Sequence, residues 1–140
     1  MNEKKKIYIA DDEKSIRDAI KVFLENAGFE VIDFETGDLL LAAFAKNPAD
    51  LVVLDVMMPG LNGFMVCKEL RAKSTVPIIM LSARDSDLDY ATALDLGSDD
   101  YLIKPFSPMA LVKRIEAIFR RISFEREKGE EQFRQEGHKS

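Results

Sequence analysis

The chain has no tryptophan, one histidine and one cysteine in 140 residues. The lone cysteine, Cys67, excludes an internal disulfide framework and any cysteine-built zinc site. Scarce cysteine indicates a reducing, cytoplasmic setting. Long apolar runs are also missing. The longest, Leu39 to Ala45, has seven residues, whereas a membrane span needs roughly 20. The basic start leads into no stretch of signal-peptide length. Positive charge is not in excess: 20 Lys and Arg stand against 25 Asp and Glu, a net −5 that argues against a nucleic-acid-binding surface. The single histidine, His138, lies in a charged C-terminal stretch with no sequence partner, which leaves a histidine phosphorelay role unsupported.

What is present has a rhythm. β-branched, apolar runs start at Ile7, Phe29, Leu51, Val76 and Tyr101, so the chain returns to a strand every 22 to 25 residues. Helical periodicity fills the gaps. Ile16, Ile20, Phe23 and Leu24 share one face of a first helix, which Gly28 stops. Leu39, Leu40, Ala43 and Phe44 form the face of a second, ended by Asn47-Pro48. Phe64, Cys67, Lys68 and Leu70 suggest a third, and Leu88, Ala91, Leu94 and Leu96 a fourth, ended by Gly97. Leu111, Ile115, Ile118 and Ile122 give a fifth, with Ser107-Pro108 as N-cap and first residue. Strands alternating with helices imply βαβ units and a parallel sheet. Leu51–Leu54 and Ile78–Leu81 are apolar throughout, as strands covered on both faces are, whereas Glu30 and Asp33 mark the second strand as an edge. The fold class is α/β, a doubly wound (βα)5 domain over residues 5–122. Residues 123–140 hold nine charges of nearly cancelling sign and read as an extension of the fifth helix fraying into a solvated tail, or as the start of a linker.

In an open parallel α/β sheet, ligands sit beyond the carboxyl ends of the strands. Asp11, Asp12 and Glu13 follow the first strand and Asp55 ends the third; Ser82 ends the fourth and Lys104 the fifth. Taken singly, each has an ordinary reading: Asp11 and Asp12 as helix caps, Asp55 as a turn residue, Lys104 as a surface lysine. Together they suit phosphoryl chemistry. Clustered carboxylates repel, by about 4 kcal/mol per pair at 4 Å and an effective dielectric near 20, and a hard divalent cation such as Mg²⁺ relieves this. One carboxylate would attack as an aspartyl-phosphate nucleophile, with lysine and metal neutralising the phosphoryl oxygens.

The residues Ile9-Ala10-Asp11-Asp12-Glu13, Leu51-Val52-Val53-Leu54-Asp55 running on through Pro59-Gly60 to Gly63, Pro77 through Ser82-Ala83, and Gly97 through Lys104-Pro105-Phe106 carry a family pattern. The chain resembles the receiver (CheY-like) domains of bacterial two-component response regulators, most closely the OmpR/PhoB branch. The resemblance implies a flavodoxin-like sheet with strand order 2-1-3-4-5 and a cis Lys104-Pro105 bond. It implies that Asp55 is the phosphoacceptor. Asp11, Asp12, Asp55 and the Met57 backbone carbonyl would hold Mg²⁺ or Mn²⁺, and Lys104 would contact the phosphoryl group. Ser82 would be the switch hydroxyl and Tyr101 the switch aromatic. The partners it implies are a sensor histidine kinase and a second copy of the chain, with DNA reached through a C-terminal winged-helix domain that residues 123–140 are too few to form.

In that branch, activated receivers pair through helix 4, strand 5 and helix 5. The charged pairs Asp100 with Arg114 and Asp99 with Arg121 survive here. A third pair has become Tyr90 and Ala110, and a fourth the like-charged Asp95 and Glu116, so a weak homodimer is expected. Three other readings compete. A Mg²⁺-dependent phosphohydrolase needs a second acid two residues after the nucleophile, where Met57 stands. A flavin-binding module needs a Ser/Thr/Gly-rich phosphate loop where the chain has Asp-Asp-Glu. A degenerate receiver used only for protein contacts would lack an essential residue, and none is missing.

Overall fold

Five parallel strands alternate with five helices in the computed structural model, which describes residues 4–83 and 87–138, with side chains at 4–83 and 90–129. In chain order they are β1 (Lys6–Ala10), α1 (Lys14–Asn26), β2 (Glu30–Phe34), α2 (Gly37–Lys46) and β3 (Leu51–Asp55). There follow α3 (Gly63–Arg71), β4 (Ile78–Ser82), α4 (Asp87–Asp95), β5 (Asp100–Ile103) and α5 (Pro108–His138). The sheet order is β2-β1-β3-β4-β5. Register pairs Ala10 with Leu54 and Asp55 with Leu81, so the carboxyl ends of β1, β3 and β4 lie side by side. The order reverses between β1 and β3, the switch point where such sheets open a ligand crevice.

Strand alternation splits the core in two. Tyr8, Val52, Leu54, Ile78 and Met80 face α2 and α3, packing on Leu40, Phe44, Val66 and Leu70. Ile7, Ile9, Val53, Ile79 and Leu81 face α1 and α5, packing on Ile20, Leu24, Leu111 and Ile115. Every residue of β3 and β4 is buried, as their unbroken apolar runs require, while β2 alternates as an edge strand does. Thr36 and Asn62 cap α2 and α3 by accepting the Leu39 and Met65 N–H groups. Gly28 and Gly97, at φ +97° and +92°, end α1 and α4 in the left-handed conformation that glycine adopts without penalty. No helix among the described residues is long and apolar enough to cross a membrane.

Helix faces depart from the periodicity in three places. Phe23 and Leu39, placed on buried faces by spacing, are exposed. On α4, among the described side chains, Ala93 is buried while Ala91 and Leu94 face out. Leu88, assigned to that face, lies outside the described side chains, as do Phe133 and His138. The fifth helix continues past residue 122 to His138, as the helix-extension reading expects. The Glu, Arg, Lys and Gln of this stretch are good helix formers and no proline interrupts them.

One side chain ties the far end of the sheet together. From the end of α3, Arg71 donates to the carbonyls of Gly97 (2.8 Å) and Val76 (2.6 Å) and to Asp99 Oδ2 (2.9 Å). Asp99 in turn accepts the Ile78 N–H (2.8 Å).

Candidate functional site

The sheet brings Asp11, Asp12 and Asp55 to one point, with a carboxylate oxygen of each within 4.8 Å of the others. Asp11 and Asp55 are buried and Asp12 is exposed. Lys104 reaches across from the end of β5, its Nζ 3.1 Å from Asp11 Oδ2 and 3.3 Å from Asp55 Oδ1. Its backbone N–H donates to the Ser82 carbonyl (2.7 Å), which pins it beside β4, and the Lys104-Pro105 bond is cis. Ser82 is fully buried at the end of β4. Asp11 and Asp12 do not cap α1. The N-cap residue is Glu13, without a side-chain cap bond, and Asp11 Oδ1 accepts the Glu13 N–H (2.9 Å).

Three carboxylates face one ammonium, and the imbalance falls on Asp55. Burial first, then the Asp11 charge, pushes its acid up to about 7 against the opposing pull of Lys104 and a hydrogen bond from the Met57 backbone. Burial alone would lower the Lys104 pKa, but the charges and hydrogen bonds of Asp55 and Asp11 raise it above the ordinary value, so the lysine is cationic. A cluster of hard oxygen donors, short of positive charge and open on the Asp12 side, fits a divalent cation of the Mg²⁺ type.

The loop after Asp55 is held close. Gly63 N–H donates to the Val56 carbonyl (3.0 Å), and a Cβ at Gly63 would stand 2.4 Å from the Asp55 carbonyl oxygen. Only glycine lets α3 approach the end of β3 this far. Beside Lys104, an apolar hollow of about 490 Å³ opens between α1 and the following loop, lined by Ile16, Ala19, Phe106 and Pro108 among others.

The residues assigned to a pairing face are placed apart from this point, along α4, β5 and α5. Arg114 meets Asp100 (3.0 Å) and Arg121 approaches Asp99 (3.9 Å) within one chain. Asp99 is further engaged by Arg71. Tyr90 is half exposed and meets the buried Tyr101 ring edge to face, centroids 5.7 Å apart. Asp95 and Ala110 are exposed, and Glu116 faces Lys113 at 3.6 Å.

Sequence reasoning missed Arg17. It is 9% exposed, and its Nη1 donates to the Asp11 carbonyl oxygen (2.8 Å). A cation next to Ile16 on an otherwise apolar helix face was the available signal.

Among known proteins, the family model described as "Response regulator receiver domain" matches residues 7–116. The chain is 46% identical over 115 residues to "Sensory transduction protein RegX3" of Mycolicibacterium smegmatis, an alignment covering 82% of this chain and 50% of that protein. It is 50% identical over 120 residues to "Probable transcriptional regulator ycf27" of Pyropia yezoensis, covering 86% and 49%. The chain thus spans about half the length of the curated relatives it matches. Among solved structures, the receiver domain of the Francisella response regulator 1452 is 38% identical with a TM-score of 0.80, covering 84% of this chain and 98% of that one. A receiver domain protein of Methanospirillum hungatei JF-1 superposes with a TM-score of 0.83 at 27% identity, covering 88% and 99%.

Proposed function

The chain belongs to the response regulator receiver domain family, and on that premise we propose that Asp55 accepts a phosphoryl group from the phosphohistidine of a sensor histidine kinase. One observation carries this reading: a buried carboxylate at the sheet's switch point, paired with a lysine at 3.3 Å and crowded by two further acids. An Asp55 oxygen attacks phosphorus in line as the bond to the kinase imidazole breaks. A Mg²⁺ or Mn²⁺ ion held by Asp11, Asp12, Asp55 and the Met57 backbone carbonyl would supply charge neutralisation at the phosphoryl oxygens. Lys104, already placed between Asp11 and Asp55, shifts its contact to the phosphoryl group. The Ser82 hydroxyl donates to a phosphoryl oxygen, and Tyr101 follows Ser82. The chain catalyses only its own phosphorylation and dephosphorylation. Met57 at the position where a phosphohydrolase needs a second acid supports that restriction.

The output is a change in the face made by α4, β5 and α5, read by a second copy of the chain in a weak homodimer. Residues 5–122 form the receiver, and residues 123–140 serve as the linker to a DNA-binding domain in an OmpR-like, cytoplasmic transcription factor. Relatives of twice the length, one of them named as a transcriptional regulator, support this reading.

The test is incubation with acetyl phosphate and Mg²⁺, followed by intact mass measurement. One alkali-labile phosphoryl group is expected on the wild type and none on Asp55→Asn, whose amide is no nucleophile of this kind. Full modification of Asp55→Asn would overturn the assignment.

A further inference from the structure

Arg17 is a buried cation that the phosphoryl chemistry above leaves unused. Its guanidinium cannot shed its proton, so burial obliges it to be paired. Nε donates to Asp33 Oδ2 at 3.0 Å, and Lys21 Nζ lies 3.6 Å from Asp33 Oδ1. Although burial raises the Asp33 acid, the Arg17 hydrogen bond and the Lys21 and Arg17 charges hold it below the usual value, so the pair is ionised. A second arm of the fork goes to a main-chain group. Nη1 donates to the Asp11 carbonyl at 2.8 Å.

Asp11 is therefore held from four directions. Its N–H donates to the Phe34 carbonyl (3.2 Å) and its own carbonyl accepts from Arg17. Its Oδ1 accepts the Glu13 N–H and its Oδ2 the Lys104 ammonium. Two of the four holds come from the end of β2, Phe34 directly and Asp33 through Arg17. Repulsion among Asp11, Asp12 and Asp55 pushes this segment away from β3. The bracket from β2 opposes that push. A guanidinium suits the task because its planar fork meets two acceptors at once, whereas a lysine head is a single point charge.

We propose that Arg17 and Asp33 form a positioning pair, clamping the Asp11 main chain so that the carboxylates of Asp11 and Asp12 converge with Asp55 on one hard cation. The metal half of this inference rests on the reading of the three acids given above. Outer partners that orient metal ligands are typically worth about 10–100-fold in metal affinity. The lower end applies here, because three other contacts on Asp11 remain when the clamp is weakened.

The test uses Arg17→Lys, Asp33→Asn and the double variant in two measurements. In metal-free protein, amide hydrogen exchange is followed at Asp11 and Glu13, and at Val53 and Ile79 in the core. Protection at Asp11 and Glu13 is expected to fall several-fold while Val53 and Ile79 keep theirs. Mg²⁺ titration followed on the same amides should then give a dissociation constant raised about tenfold in either single variant. The double variant should be no worse than about the same factor, because both changes break one clamp. Saturating Mg²⁺ should restore phosphorylation by acetyl phosphate. Native protection and native Mg²⁺ affinity in both single variants would overturn the proposal. So would loss of protection spread evenly through the core, which marks a purely structural pair. Asp33→Asn keeps Arg17 in place and guards against a variant that fails to fold. A wild-type chain that binds no Mg²⁺ would sink the metal reading alone, since the metal-free exchange at Asp11 and Glu13 still decides whether the pair positions that segment.

Discussion

Replacing Asp55 by asparagine should make the metal-free protein more stable at neutral and alkaline pH. The Asp55 acid rises from the 3.8 of an ordinary aspartate to about 7 through burial and the Asp11 charge. At 1.36 kcal/mol per pK unit, the folded state therefore disfavours the carboxylate by about 4 kcal/mol. A raised carboxylate pKa acts against folding above the unfolded value. The penalty is absent below about pH 4, where both states are protonated, grows as pH rises, and is complete above about pH 7. Asparagine removes the charge but keeps a buried polar group and gives up the 3.3 Å ion pair with Lys104. A net gain of about 2–4 kcal/mol at pH 8 is expected. For a chain of this size that raises Tm by roughly 2–4 °C per kcal/mol. Urea denaturation in EDTA from pH 4.5 to 8.5 measures the effect. The two proteins should converge at the acid end and separate as pH rises. Equal stability at pH 8, or a gap that does not change with pH, would refute the electrostatic account of this site.

Asp12 is the exposed acid of the three: Asp12→Ala should melt at the same or a higher temperature without Mg²⁺ and lose the Mg²⁺-induced rise. A full rise in that variant would place the metal elsewhere. Gly63→Ala would drive a Cβ to within 2.4 Å of the Asp55 carbonyl oxygen and 2.9 Å of Met80 Cε. Overpacking of this kind costs about 1–3 kcal/mol, visible as a lower urea midpoint, and an unchanged midpoint would show that the loop yields freely. For the pairing face, analytical ultracentrifugation of the beryllofluoride-activated domain should find a weak dimer. It should tighten as salt screens Asp95 and Glu116, and Glu116→Lys should strengthen it at low salt. A tight dimer that loosens with salt and ignores Glu116→Lys would show that these two acids do not face each other.

The strands and the acidic point were legible because both depend on short, ordered signals. Short, β-branched apolar runs such as Leu51–Leu54, recurring between helical stretches, suit strands covered on both sides, and a parallel sheet then carries whatever follows each run to one edge. Helix orientation was less legible. Periodicity locates a stripe to within about one residue, roughly 100° of rotation, and that error put Phe23 and Leu39 inside. On α4 the apolar residues misled, because among the described side chains Ala93 is the one buried against the sheet while Ala91 and Leu94 face out. Arg17 was hidden for another reason. A cation reads as solvated unless its partner is known, and its partners, Asp33 and the Asp11 carbonyl, are brought to it by the tertiary fold. Asp33 was seen only as the mark of an edge strand. The intramolecular closure of Asp100 on Arg114 was equally invisible, since spacing cannot say whether a pair forms within a chain or between two.

The Arg71 contacts anchor the far end of α4. At its far end Ser98 caps the Ala93 carbonyl, Asp99 exchanges main-chain and side-chain bonds with Ile78, and one guanidinium rivets Gly97, Val76 and Asp99 together. The near end follows Ser82 and Ala83 at the acidic point. An anchored end moves least, so a displacement beside Ser82 would turn α4 about the Gly97–Asp99 anchorage. Travel would then be greatest next to Asp55 and die away toward Asp99. Tyr90, nearer that end, would sweep further than Asp95, and this face would change in tilt more than in position.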